Sequence, residues 1–125
     1  MSLKVTFCLR RLPSLTYEEF RDYWLNRHAA LVFSFKDDLK IWKYVQSHPH
    51  PDAILSSNIQ KSRGSPKGYD GIAEVWWERR EDLEVALSSA PGKNASKILY
   101  ADERKFIDFA NSPIWFAEEH EIITP

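Results

Sequence analysis

The amino-acid sequence predicts an α+β domain: one antiparallel sheet carrying helices on one face. Three observations lead there. Short apolar runs of period two recur at residues 4–10, 41–48, 69–78 and 114–123. Stretches of helical period follow the first and the third of these runs. The resulting order, β-α-β-β-α-β, closes most economically as a four-stranded ferredoxin-like layer. At 125 residues, with no linker or composition shift, residues 1–125 read as a single domain.

The first run, KVTFCLR, sets Val5, Phe7 and Leu9 on one face and Cys8 on the other, and Pro13 ends it. In LTYEEF, Thr16 and Glu19 have the spacing of a capping box, and Leu15 and Phe20 that of a hydrophobic staple. A helix is expected from about residue 17 into the early thirties. Its apolar stripe would be Phe20, Trp24 and Leu31, with His28 one turn after Trp24. IWKYVQSH supplies the second strand, with Trp42, Tyr44, Gln46 and His48 on one side. Residues 49–68 have Pro and Gly near their ends and no clear period. They read as a long connection of the lid or binding-loop kind, with at most a short helical turn in DAILSSNI.

YDGIAEVWWE is the third strand: Gly71, Ala73, Val75 and Trp77 oppose Asp70, Ile72, Glu74 and Trp76. EDLEVALSS reads as a helix broken by Pro91 and Gly92. Helical pattern resumes in ASKILYADERKFIDFA, where Ile98, Ala101 and Phe106 are the expected core positions. IWFAEEHEII is the fourth strand. Helices can cover only one sheet face, yet bulky apolar residues such as Trp76 and Trp77 occupy both. A second sheet packed on the bare face would cover it, which predicts a homodimer joined through sheet faces into a shared barrel.

Composition excludes several classes. A formal net charge of -1 lacks the basic excess that nucleic-acid binding needs. Cys8 is the only cysteine, so no intrachain disulfide can form. The opening MSLKVTFCLRRLPS is unlike a signal peptide, and no apolar run approaches the roughly 20 residues that span a bilayer. A soluble, cytoplasmic protein without membrane contact is expected. No phosphate loop, dinucleotide fingerprint or nucleophile motif is present, so no cofactor is expected. The aromatic content of 14%, five Trp included, points to a dense core, an interface or a ligand pocket.

His28 carries two readings. It is either a helix-edge histidine bonded to a backbone carbonyl, or a general acid/base beneath a cavity, its ordinary pKa of about 6.5 suiting proton transfer near neutrality. Gly71 and Ala73 weigh toward the second, since two small side chains on one strand face leave a void beside that helix unless Trp24 and Phe20 fill it. His48 and His50 could share a face, but no third ligand is fixed by spacing, so no metal site is expected. Asp70 and Glu74 would lie about 13 Å apart, too far to share a proton, and Glu74 is expected to pair with a cation across the sheet or dimer. Asp102, Glu103 and Lys105 read as a solvated helix face, with Asp102 able to brace a loop.

The ordered set RR, LTYEEFRDYWLNRHAALV, WKYVQSH, YDGIAEVWW and ADERKFID resembles the EthD family of the dimeric α+β barrel group, nearly end to end. The resemblance implies a ferredoxin-like protomer, a barrel-forming homodimer, and a pocket between sheet and helices. It also implies chemistry on small, often aromatic or lactone substrates. His28 matches the family's helix histidine, Tyr44 its second-strand tyrosine, and Tyr69, Asp70 and Gly71 its YDG element. A methylisomerase of that group has a cysteine where Val75 stands, which removes any mechanism needing that thiol.

The expected function is therefore a cofactor-independent enzyme of small-molecule catabolism or secondary metabolism. It would isomerise, dehydrate, cyclise or decarboxylate a hydrophobic carbonyl or lactone substrate by acid/base chemistry. His28, Tyr44 and Tyr69 would be catalytic; Trp24, His48, Asp70, Gly71, Ala73 and Val75 would bind substrate. The alternative is a non-catalytic small-molecule binding protein with the same pocket. A third reading is a structural dimer whose aromatics fill it.

Overall fold

The computed structural model describes residues 2–125. Four strands, β1 (Leu3–Leu9), β2 (Lys43–Ser47), β3 (Gly71–Trp77) and β4 (Ile114–Ala117), form one antiparallel sheet in the order β2-β3-β1-β4. This is the ferredoxin-like arrangement. Phe7 lies opposite both Ala73 and Ile114, and Val5 opposite both Val75 and Phe116. Tyr44 lies opposite Val75 on the other side of β3. Because side chains alternate along a strand, these residues share the helix-covered face.

The first helix is one rod with a wide turn in its middle. It runs as α1 (Tyr17–Asp22), a π-helical segment Tyr23–His28, and α2 (Ala29–Ser34). Thr16 and Glu19 form the expected capping box. Phe20, Trp24, His28 and Val32 are its buried residues. A repeat of four drifts around a 3.6-residue helix, and the π segment offsets that drift. Hence Val32 is buried and Leu31 only half-buried, a re-phasing that an unbroken α-helical wheel does not contain.

Residues 49–68 are not an irregular loop. They hold α3 (Ala53–Arg63), capped by Asp52 at its start and by Gly64 in the left-handed region at its end. The helix has no buried residue. Its Ser56, Ser57 and Gln60 are half-buried, while Ile54, Leu55 and Ile59 are exposed. The apolar residues facing away from the body erase the usual amphipathic signature, which is why no period is legible there.

Helices α4 (Arg80–Ser88) and α5 (Ala90–Glu103) meet at Ser89, whose side chain caps α5 by accepting from the Gly92 N–H. Pro91 and Gly92 thus belong to the first turn of α5, a position proline tolerates. A Cβ on Gly92 would stand 1.7 Å from the Ala86 carbonyl oxygen, so only glycine permits this approach. That contact fixes the phase of α5: Gly92, Ala95, Leu99 and Asp102 are buried, and Ile98 and Ala101 are exposed. Phe106, just past the helix, is fully buried as expected. The fourth strand stops at Ala117 rather than continuing to residue 123, because Ala117 already pairs with Lys4, one residue from the start of β1.

The outer sheet face is less apolar than the sequence implies. Lys4 bonds Glu74 at 2.7 Å across the sheet, Lys43 lies over the Trp76 ring, and Trp76 donates to Glu119. Trp115 is half exposed there. On the covered face, buried residues form two clusters. Leu9, Phe20, Trp24, Phe106 and Ile107 make one; Val32, Leu39, Ala95 and Leu99 make the other.

Gly71 leaves no room for a side chain: an added Cβ would lie 2.3 Å from the Trp24 ring. Gly71→Ala is expected to destabilise the protein by about 1–3 kcal/mol, read from the midpoint of urea unfolding, because the buried ring is packed against Phe20 and His48.

Candidate active site

A cavity of about 360 Å³ lies between the sheet and the helices, lined by members of both buried clusters. Val5, Phe7, Ala73 and Val75 form its sheet wall, and Leu83, Leu87 and Leu99 its α4 and α5 wall. The expected void therefore exists, though not where both small residues stand. Trp24 fills the space over Gly71, and the hollow begins at Ala73.

His28 lines this hollow and is buried. It is bonded to a carboxylate rather than to a backbone carbonyl: Nδ1 lies 2.7 Å from Asp102 Oδ2. An ionised Asp102 only accepts, so Nδ1 carries the proton and Nε2 keeps its lone pair. Tyr23 donates its hydroxyl to the other Asp102 oxygen, and Lys105 approaches that oxygen from solvent at 3.7 Å. The edge of the His28 ring meets Phe106 at a centroid distance of 4.9 Å. Burial holds the His28 pKa below its ordinary value, and the Asp102 bond and charge offset this only in part. Burial pushes the Asp102 carboxyl up, but the bonds from Tyr23 and His28 outweigh it and leave the group below its usual value. The result is a neutral imidazole beside an ionised carboxylate.

Glu103, the next residue, points into the same hollow. Burial, then the Asp102 charge, pushes its pKa up to about 7. Tyr44 also lines the cavity, and its oxygen accepts from Gln46 Nε2 at 2.8 Å. Burial pushes the Tyr44 hydroxyl up; the Gln46 and Trp24 side chains act against that, and the Glu103 charge acts with it. Gln46 Nε2 also reaches the Trp24 carbonyl at 3.0 Å, inside the π turn. The site thus combines a base with a free lone pair, a hydroxyl and a carboxylic acid in one apolar hollow.

The sequence-predicted residues fall into two places. His28, Tyr44, Trp24, Ala73 and Val75 line the cavity. Gly71 sits under Trp24, and His48 stacks on the outer side of that ring at 4.3 Å while bonding Gln46. Tyr69 and Asp70 lie apart, in a polar recess at the end of the sheet. There the Arg10 guanidinium covers the Tyr69 ring and Asp70 binds Arg11 at 2.7 Å. They precede β3, so the chain has not yet entered the strand that forms the cavity wall. His48 and His50 turn to different partners, and among the described residues no group of three His, Cys, Asp or Glu is placed to hold a metal.

Asp102, Glu103 and Tyr23 escaped the sequence reading. The available signal was helical phase. A stripe through Ala95 and Leu99 continues to Asp102, and a carboxylate on a buried stripe needs a partner.

A model of the EthD domain matches residues 12–110. The chain belongs to the EthD family. The fold of this EthD protein is similar to that of an ethyl tert-butyl ether degradation (EthD) family protein from Bacillus halodurans C-125. That similarity has a TM-score of 0.61, 18% identity, and coverage of 96% of this chain and 100% of that one. It is similar to a cofactor-independent oxygenase from Streptomyces nogalater, in a mutant form (TM-score 0.50, 12% identity, 99% and 96% covered). A dimeric ferredoxin-like protein from Jannaschia sp. CCS1 is a further structural neighbour (TM-score 0.54, 11% identity, 95% and 100% covered). The chain is also 30% identical over 97 residues to a ferrochelatase from Hamiltonella defensa subsp. Acyrthosiphon pisum (strain 5AT). That match takes in 78% of this chain, which spans only 27% of the ferrochelatase's length. No described helix is long and apolar enough to cross a membrane.

Glu103 ties the site to stability. Its folded pKa is raised, so the native state holds this proton more tightly than the unfolded chain. Its contribution is full below the ordinary carboxylate pKa of 4.5 and is lost as pH rises through about 7. The expected loss over that window is on the order of 3 kcal/mol. Glu103→Gln should flatten this slope in urea titrations run at pH 4.5 to 8.

Proposed function

We propose that this EthD protein is an acid/base enzyme acting on a small hydrophobic carbonyl or lactone compound. The observation that carries the reading is the buried His28–Asp102 pair, which leaves His28 Nε2 bare toward an apolar hollow. His28 removes a proton from carbon next to the substrate carbonyl. Asp102 is a positioning residue that holds the tautomer and stabilises the imidazolium as it forms. Tyr44 donates its hydroxyl to the carbonyl oxygen where negative charge develops. Glu103, which keeps its proton up to about pH 7, delivers it to another carbon or to a departing hydroxyl. The first outcome is an isomerisation and the second a dehydration. Tyr69 and Asp70 have no part in these steps. A largely apolar hollow of this size also suits a non-catalytic carrier, which would bind the same compounds and turn none of them over.

The protein is proposed to work as a homodimer joined through the outer sheet face. Supporting this are the half-exposed Trp115 and the half-buried Val45 and Ile72 on that face, and the dimeric ferredoxin-like neighbour from Jannaschia. Trp115→Glu is expected to shift the sedimentation coefficient toward that of a single chain, with the far-ultraviolet circular dichroism unchanged.

Screening ketones and lactones for turnover tests the enzymatic reading. His28→Ala should lower kcat by roughly 10²–10⁴-fold, and Asp102→Asn should fall in the same range. The pH profile of kcat/KM should be bell-shaped. Its acid limb lies below 6.5, where His28 must be neutral, and its alkaline limb near 7, where Glu103 loses its proton. Unchanged turnover in His28→Ala would rule this mechanism out, and tight binding with no turnover would favour the carrier.

A further inference from the structure

The cavity is selective in what it lacks. None of its lining residues is Lys or Arg. Its titratable lining groups are His28, Tyr44, Tyr100 and Glu103. Behind the His28 ring stands Asp102, and the Lys105 ammonium meets Asp102 from the solvent side with its own side chain 66% exposed. A carboxylate entering the hollow would lose its water, meet no counter-ion, and face two acids. An ionised group desolvated without a partner is strongly disfavoured. Burial also opposes the one cation that the lining could generate, a protonated His28.

Size narrows the occupant further. A dry cavity of about 150 Å³ holds one benzene ring. The 360 Å³ present here has room for roughly two to three fused rings. The polar atoms that could meet them, on His28, Tyr44 and Glu103, suit a carbonyl or ring hydroxyl on the ligand's edge.

We propose that the cavity takes uncharged bicyclic to tricyclic compounds bearing a carbonyl or ring hydroxyl, and that Glu103 makes it reject the corresponding carboxylates. This rests on the acid/base reading only in using the same hollow; it concerns binding and requires no turnover. A carboxylic-acid product would leave the site of its own accord, whereas a neutral product would have to compete with substrate.

The test compares 2-acetonaphthone with 2-naphthoate at pH 7.5. The two have the same ring and carbonyl and differ in a methyl against a charged oxygen. Binding is followed by quenching of the fluorescence of Trp24 and Trp77, both in the cavity wall, and by calorimetry. The ketone is expected to bind at least tenfold more tightly than the carboxylate. Glu103→Gln should narrow that gap severalfold. Naphthoate binding as tightly as the ketone would overturn the charge selectivity and leave the acid/base reading standing. An unchanged gap in Glu103→Gln would overturn the role given to that residue. If neither compound binds the folded protein, the selectivity proposal falls, whereas the acid/base reading stands or falls by the turnover of His28→Ala.

Discussion

The contact between His28 Nδ1 and Asp102, residues 74 apart in sequence, joins the first helix to α5. Much of the covered face depends on it. It fixes which nitrogen carries the proton and therefore which one meets the hollow. It also sets how closely the first helix approaches α5, with Tyr23 on the same carboxylate and Phe106 against the imidazole edge. A buried carboxylate and a buried imidazole would each be costly alone. Together, with the tyrosine hydroxyl completing the set, they satisfy one another, and the apolar residues can close around them.

The π turn is what brings the histidine to that meeting. An uninterrupted α-helix would set a residue four positions past Trp24 about 40° further round the axis. The wider turn keeps Trp24 and His28 stacked one above the other. The Ala29 N–H reaches back to the Trp24 carbonyl, which also accepts from Gln46. Gln46 in turn meets Tyr44 and His48. One side chain on the edge strand thus locks the helix distortion, orients the tyrosine and holds the stacked imidazole. His48 is a support of the wall and not part of its inner surface.

The four strands and the capped start of the first helix were legible because each rests on local chemistry: alternation, a proline stop, and the Thr16–Glu19 pair. The phase of α5 was not, because a long-range contact sets it, the approach of Gly92 to Ala86. With the phase misplaced by one residue, Asp102 looked solvated although it is the partner of His28. Helix α3 was hidden for the opposite reason: its outward apolar residues contradict the pattern by which helices are recognised. Tyr69 and Asp70 were singled out by the resemblance of the YDG element to the family, yet the strand begins only after them, and cations hold both at the sheet's end.

The glycine elbow between α4 and α5 also bears on how anything gets in. Backbone lies against backbone at Gly92, which holds α4 and α5 together as one wall of the hollow. The first helix is pinned at both Trp24 and His28. The hollow is open beside Tyr100 of α5 and along the β4 margin, a four-residue edge strand whose Ile114 and Phe116 border it while remaining more than half uncovered. Apolar surface therefore runs from the hollow out to solvent at that margin.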